Sequence, residues 1–209
     1  VDAHYRTITN RDSRGVAGCS NGGDASMRIA LKYPDVFSVT APSGGVYDET
    51  MAKNQLLLKE LEILRELPTT PAEVSWREGP QIKWYIQAAG GSASNPDNPP
   101  LYLDMPFRLV NGKAEIVPEV AEKIAANDSM HAVDSYLQQP VRLRGILIQH
   151  ALTDLFNPTE LVRGFDRLLT ERGIEHEYLE FDGFHCSNPW EALSLDFMAK
   201  HLVSEPPAK

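Results

Sequence analysis

Two separated blocks of this chain alternate a short apolar run with a helical pattern, and few architectures accept that alternation. Such alternation argues for a parallel sheet covered by helices, because each crossover must return along the sheet before the next strand begins. In the first block Gly15 to Cys19 is a short apolar strand, and Gly22 to Tyr33 is a helix with Met27, Ala30 and Leu31 on one face. Pro34 closes that helix, and Val36 to Ala41 is the next strand. The second block opens at Val141. Leu143 to Gln149 is almost uninterrupted apolar sequence, as a strand buried on both faces requires. Asn157, Pro158 and Glu160 stand at N-cap, first-turn and capping-box positions of a helix whose stripe of Leu161, Phe165, Leu168 and Leu169 stops at Gly173. Tyr178 to Phe181 is a further strand. Asn188, Pro189 and Glu191 repeat the start signal for a last helix bearing Leu193, Phe197 and Leu202.

Between the blocks, Asp48 to Pro140 does not continue the pattern. Met51 to Leu67 is a leucine-rich amphipathic helix closed by Pro68, Gly90 to Pro106 is a Gly, Ser, Asn and Pro loop, and Val117 to Leu137 is one or two helices. This gives a sheet domain from 1–48 and 141–209 and a helical cap from 49–140; the alternative is a structural excursion with no role at the site. A chain of 209 residues with 42% hydrophobic residues supports one sizeable core with a smaller appended layer. The net charge of −9 is spread without long runs, which argues against nucleic acid or an anionic membrane as partner. No apolar stretch approaches the roughly 20 residues needed to cross a bilayer, and Val1 to Asn10 lacks the apolar core of a signal peptide.

Gly18-Cys19-Ser20-Asn21-Gly22 matches G-x-S-x-G and falls between a strand and a helix. On that sharp turn a serine is held in a strained backbone with its hydroxyl above the sheet, as in the α/β-hydrolase fold. The following helix directs its first N–H groups and the positive end of its dipole at the place where negative charge develops, with the Asn21 N–H as one oxyanion donor. Serine alone is a poor nucleophile, so a base must take its proton and an acid must hold that base in the right tautomer. This fold orders them Ser, then acid, then His, the last two on loops after strands. Asp154 and His185 stand at such places, with Asp182 as the competing acid. His4, His131, His150, His176 and His201 are worse placed. No metal is required, and there is no H-E-x-x-H cluster.

Tyr5-Arg6-Thr7, Gly15 to Gly23, Ala30 to Phe37 and Ser43-Gly44 resemble the esterase D-like family, which includes formylglutathione hydrolases, feruloyl and other carbohydrate-linked esterases, and mycolyltransferases. The resemblance covers roughly residues 1–48 and 141–203 and implies nucleophile, acid and base at Ser20, Asp154 and His185. Asn21 stands where Met is frequent in that family, and the cap is longer than usual. The resemblance also implies several strands before Val1, with the loop that supplies the second oxyanion donor. An upstream segment or a partner chain is therefore expected along the edge of Gly15 to Cys19.

The expected activity is hydrolysis of a small-molecule ester without cofactor, on aromatic (feruloyl-like) or sugar-linked substrates. An acyltransferase, a thioesterase or a non-catalytic binding protein of the same fold are the alternatives. Trp76, Trp84, Tyr85 and Leu101 to Phe107 in the cap, with Cys19 and Trp190, are candidate substrate-binding residues; the cap aromatics could equally form the cap's own core. Two cysteines are too few for a disulfide scaffold and lack zinc spacing. Cys19 precedes the nucleophile and Cys186 follows the base, which resembles the Cys-Ser, Asp, His-Cys arrangement of tannases and fungal feruloyl esterases and implies a disulfide; two buried free thiols are the alternative. A bridge points to secretion or the periplasm, and free thiols to the cytoplasm.

Overall fold

The computed structural model describes residues 2–5, 7–48, 55–63, 67, 70, 73 and 80–204. They fall into two compact units: Val1–Asp48 with Asp128–Lys209, and Glu49–Asn127.

The first unit is built on β1 (Gly15–Cys19), β2 (Val39–Ser43), β5 (Gly145–Ala151) and β6 (Glu177–Phe181). They form a four-stranded sheet in the order β1-β2-β5-β6, every pair parallel. Its helices are α1 (Asn21–Lys32), α5 (Ser129–Leu137), α6 (Thr159–Glu171) and α7 (Trp190–His201). Side chains of β5 alternate between two cores, as the period of two in a strand demands. Ile146 and Ile148 pack with Met27 and Leu31 of α1, Val133 and Tyr136 of α5, and Val162, Phe165 and Leu169 of α6. Leu147 packs on the opposite side with Val39 and Ala41 of β2 and Phe197 of α7. Helices therefore cover both faces of the sheet. Among the described residues no strand pairs with the outer edge of β1.

Several local expectations are corrected. β2 begins at Val39 instead of Val36, because Val36 and Phe37 still donate to the Tyr33 carbonyl at the end of α1. It continues to Ser43 through Pro42, which has no N–H to give. Asn157 and Asn188 do not cap helices; the N-caps are Pro158 and Pro189, neither with a side-chain capping bond. Asn157 is instead used at the site described below. Helix α6 ends at Glu171 with Arg172 as C-cap, and just past it the Gly173 N–H bonds to the Thr170 carbonyl and the Ile174 N–H to the Leu169 carbonyl, the Schellman pattern. Helix α5, read from sequence within the insertion, is started by Asp128, whose carboxylate accepts from the His131 N–H at 2.8 Å, and it packs in the first unit.

The second unit holds α2 (Gln55–Ile63), α3 (Pro80–Ser92), β3 (Phe107–Val110), β4 (Lys113–Ile116) and α4 (Pro118–Ala125). Leu61, Ile82, Tyr85, Ile86, Ala89, Leu103, Phe107, Val120 and Ile124 form its core. β3 and β4 pair as an antiparallel hairpin across Asn111 and Gly112, both at positive φ, which is the turn that Asn-Gly favours.

Candidate active site

Ser20 lies between the last residue of β1 and the first of α1, at φ 60° and ψ −126°. This is a costly conformation for a residue with a Cβ, and the surrounding backbone holds it. The Ser20 N–H donates to the Ser43 carbonyl at 3.1 Å, and its own carbonyl accepts from Gly23 and Asp24 at 2.9 and 3.0 Å. Its hydroxyl is not used to cap the helix it precedes. The glycines explain the motif sterically: a Cβ on Gly18 would stand 2.5 Å from the Gly22 carbonyl oxygen. The elbow closes only because nothing is there. Asn21 is the first residue of α1, where helical N–H groups and the positive dipole end face outward.

The candidate acid and base come from loops at the ends of β5 and β6. Asp154 Oδ2 accepts from His185 Nδ1 at 2.7 Å, with the carboxylate fully buried and the imidazole 19% exposed. Asp154 Oδ1 accepts from the Phe156 and Asn157 N–H groups at 2.9 and 3.1 Å, so both oxygens are engaged and the carboxylate cannot rotate away. With Nδ1 carrying its proton toward Asp154, Nε2 is the nitrogen left to act as a base. The competing acid, Asp182, is exposed. The competing histidines have other partners: His150 lies buried in β5 against the Thr159 hydroxyl at 3.0 Å, with burial pushing its pKa down, and His176 bonds Asp166 at 2.9 Å.

Gly44, at the end of β2 with φ 55°, is where these parts converge. A Cβ built there would lie 3.4 Å from Asp154 Oδ2, 3.4 Å from His185 Nδ1 and 3.5 Å from Cys19 Sγ. Cys19 and Cys186 form a disulfide with Cα atoms 5.7 Å apart. It joins the residue before Ser20 to the residue after His185, and each Cα step adds about 3.8 Å, so the Cα atoms of Ser20 and His185 are at most about 13 Å apart. The side chain of Asn157 donates to the Gly44 carbonyl at 2.6 Å, tying the acid loop to the end of β2. The two loops are also joined to each other, Leu152 N–H to Phe181 carbonyl at 2.9 Å and Thr153 N–H to Gly183 carbonyl at 3.0 Å.

Other candidate residues are differently placed. Tyr85 is 2% exposed inside the core of the second unit, and Trp84 packs at the edge of that core, edge-on to Tyr85 at 5.4 Å. Tyr85 is therefore a core residue and not a lining one. Leu103 and Phe107 are buried in the same core, whereas Tyr102 is 58% exposed. Trp190 is half-buried at the first turn of α7, and Trp76 lies outside the described residues. Sequence reasoning missed Asn157, whose Asn-Pro context mimics a helix start, and Phe156, whose ring centroid is 4.9 Å from that of His185. Among the described residues no group of three or more His, Cys, Asp or Glu side chains is arranged to hold a metal, and no helix is long and apolar enough to cross a membrane.

A family model described as "Putative esterase" matches residues 1–201. Among solved structures, the fluorophosphonate-binding serine hydrolase FphF of Staphylococcus aureus is similar at 14% identity and TM-score 0.51, covering 96% of this chain and 57% of that one. A ferulic acid esterase is similar at 14% identity and TM-score 0.50, covering 96% and 55%. The acylaminoacyl peptidase of Pyrococcus horikoshii is similar at 16% identity and TM-score 0.54, covering 96% and 26%. The shared feature is the α/β-hydrolase fold, and this chain spans little more than half the length of the first two. The comparison with curated proteins gave no match.

Proposed function

This chain belongs to the esterase family whose model it matches, and on that premise we propose that it is a serine carboxylester hydrolase with Ser20 as nucleophile, His185 as base and Asp154 as orienting acid. The observation that carries the reading is the 2.7 Å bond between a fully buried Asp154 and His185, on a loop that the Cys19–Cys186 disulfide ties to the residue before Ser20. In this mechanism His185 Nε2 takes the Ser20 proton as the oxygen attacks the ester carbonyl. The tetrahedral oxyanion rests on the Asn21 N–H at the start of α1, and collapse expels the alcohol with the proton returned by His185. Water, activated by the same nitrogen, then attacks the acyl-enzyme and frees Ser20.

A second oxyanion donor is assigned to a segment or partner chain pairing along the outer edge of β1, since an open edge invites another strand. The substrate class is an aromatic or sugar-linked ester. The disulfide supports a site of action in an oxidising compartment, secreted or periplasmic. Labelling by a fluorophosphonate probe tests the reading: the full-length protein reacts at Ser20 and hydrolyses 4-nitrophenyl esters, and Ser20→Ala loses both while keeping its circular dichroism spectrum. Undiminished hydrolysis in Ser20→Ala overturns it.

A further inference from the structure

The two loops that carry the acid and the base present an apolar surface next to the imidazole. Leu152, Leu155 and Phe156 follow β5 and are 42%, 87% and 55% exposed; Phe184, directly before His185, is 69% exposed. Apart from Asp154, His185 and the disulfide-bonded Cys186, the segments 151–158 and 182–189 contain one ionisable side chain, Asp182. Solvent-facing loops with so little charge and so many large apolar groups are not what solubility favours, and such patches mark binding surfaces.

The placement of Phe156 makes the surface specific. Its ring centroid stands 4.9 Å from that of His185, with the planes inclined at 55°. The backbone beneath it is pinned, because its N–H donates to Asp154 Oδ1 at 2.9 Å. Phe184 is held similarly, its N–H donating to the Ser187 hydroxyl at 3.0 Å. An ester that reacts through His185 must bring its leaving-group oxygen to within about 3 Å of the imidazole Nε2. With the ring centroids 4.9 Å apart, a group flanking the scissile bond comes within reach of the Phe156 ring. Aromatic rings offer large contact area with few torsions to freeze, so this surface rewards a flat or bulky apolar neighbour and gives a short acetyl or methyl group little to touch.

We propose that Phe156 and Phe184, with Leu155, form an apolar rim that binds the group flanking the scissile bond, and that it sets a preference for esters carrying an aromatic or bulky apolar group there. The proposal rests on the serine esterase reading and deepens it by naming the specificity-determining residues.

The test uses the full-length protein and two ester series. One holds the 4-nitrophenyl leaving group and varies the acyl group from acetate to butanoate to benzoate. The other holds acetate and varies the alcohol from ethanol to benzyl alcohol. The parent is expected to favour the aromatic member of at least one series in kcat/KM. Phe156→Ala and Phe184→Ala are each expected to lower that preference by about tenfold, the size that apolar pocket contacts supply, with the loss in KM more than in kcat. Collapse in the acyl series puts the rim on the acyl side, and collapse in the alcohol series puts it on the alcohol side; either supports the proposal. Ratios within about twofold of the parent in both variants and both series overturn it. Ser20 labelling separates the two failures. A labelled protein with unchanged ratios loses only the rim, whereas a parent that no fluorophosphonate labels loses the esterase reading as well.

Discussion

At the elbow, most of the constraints on Ser20 come from its immediate neighbours: Gly18 against Gly22, and the Ser20 carbonyl holding the Gly23 and Asp24 N–H groups. At the acid and base loops the ties that bring the parts together span the chain. Asp154 reaches His185 across 31 positions, Asn157 reaches Gly44 across 113, and Cys186 reaches Cys19 across 167. One half of the site is a backbone device, made by where glycine stands and where a helix begins. The other half is a side-chain device, assembled only when β2, β5 and β6 lie side by side. The difference teaches that damage to the two halves takes different forms: elbow geometry is lost with the backbone, whereas loop geometry degrades in steps as ties are removed.

The largest effect expected within the loops is that of Asp154→Asn. The amide favours the imidazole tautomer with its proton on the wrong nitrogen, and kcat falls by about 10⁴-fold with little change in fold. Steady-state kinetics beside Asp182→Asn decide the point: parental activity in Asp154→Asn with loss in Asp182→Asn would move the acid to Asp182. Next comes removal of the tie between the halves. Cys19→Ala combined with Cys186→Ala is expected to lower stability by about 2–4 kcal/mol, for so long a closed loop, and to lower kcat by about 10²-fold through a displaced base. A lower melting temperature with unchanged kcat would show that the bridge serves the fold and not the base.

Asn157→Ala probes a weaker tie. It strands the buried Gly44 carbonyl, at a cost of about 1–3 kcal/mol, and a share of that in the transition state lowers kcat by about tenfold with KM nearly constant. Asn157→Asp sharpens the result, because a protonated carboxyl still donates to Gly44 while a carboxylate repels it and Asp154. Its kcat relative to the parent therefore falls as pH rises, and a flat ratio would remove Asn157 from the positioning network.

The smallest effect is expected on the elbow side, at Asp24. Burial raises its pKa to about 7, with Arg28 at 2.9 Å offsetting part of that cost and Asp128 adding to it. Arg28 is 37% exposed and too well hydrated to outweigh the desolvation of a carboxylate that is 5% exposed. A raised carboxyl pKa means the fold favours the neutral form. The associated stability is present below the unfolded value of 3.8 and is lost as pH rises through about 7. Asparagine copies the neutral form, so the melting temperature of Asp24→Asn gains on the parent by a few degrees between about pH 5 and about pH 8. A constant gap across that range contradicts the assignment.

Legibility in the sequence followed the same division. β1 and the helical stripe of α6 match their sequence patterns, because a buried strand and an amphipathic helix each leave a periodic trace. Asn157 and Asn188 misled because Asn-Pro before a helix satisfies the local pattern of a cap, and only the neighbouring β2 gives the Asn157 amide a better acceptor. Asn111-Gly112 carries a hairpin signal, and β3 and β4 pair across it. Helix α5 lies next to the insertion in sequence yet packs with α1, and no local pattern records which core an amphipathic helix will join.

The strand–turn–helix around Ser20 was readable before any coordinates, since it depends on residue type and on position relative to strand ends, whereas the choice between a Cys19–Cys186 bridge and two free thiols stayed open until the structure joined them. What the tertiary structure alone decided is how the candidate site residues are held: the burial of Asp154 with both oxygens bonded, the latch from Asn157 to Gly44, and the Phe156 ring against His185. Hydrogen bonds and ring contacts between distant segments act over a few ångströms, and the sequence distance between partners carries no information about that separation until the sheet has brought the strand ends together.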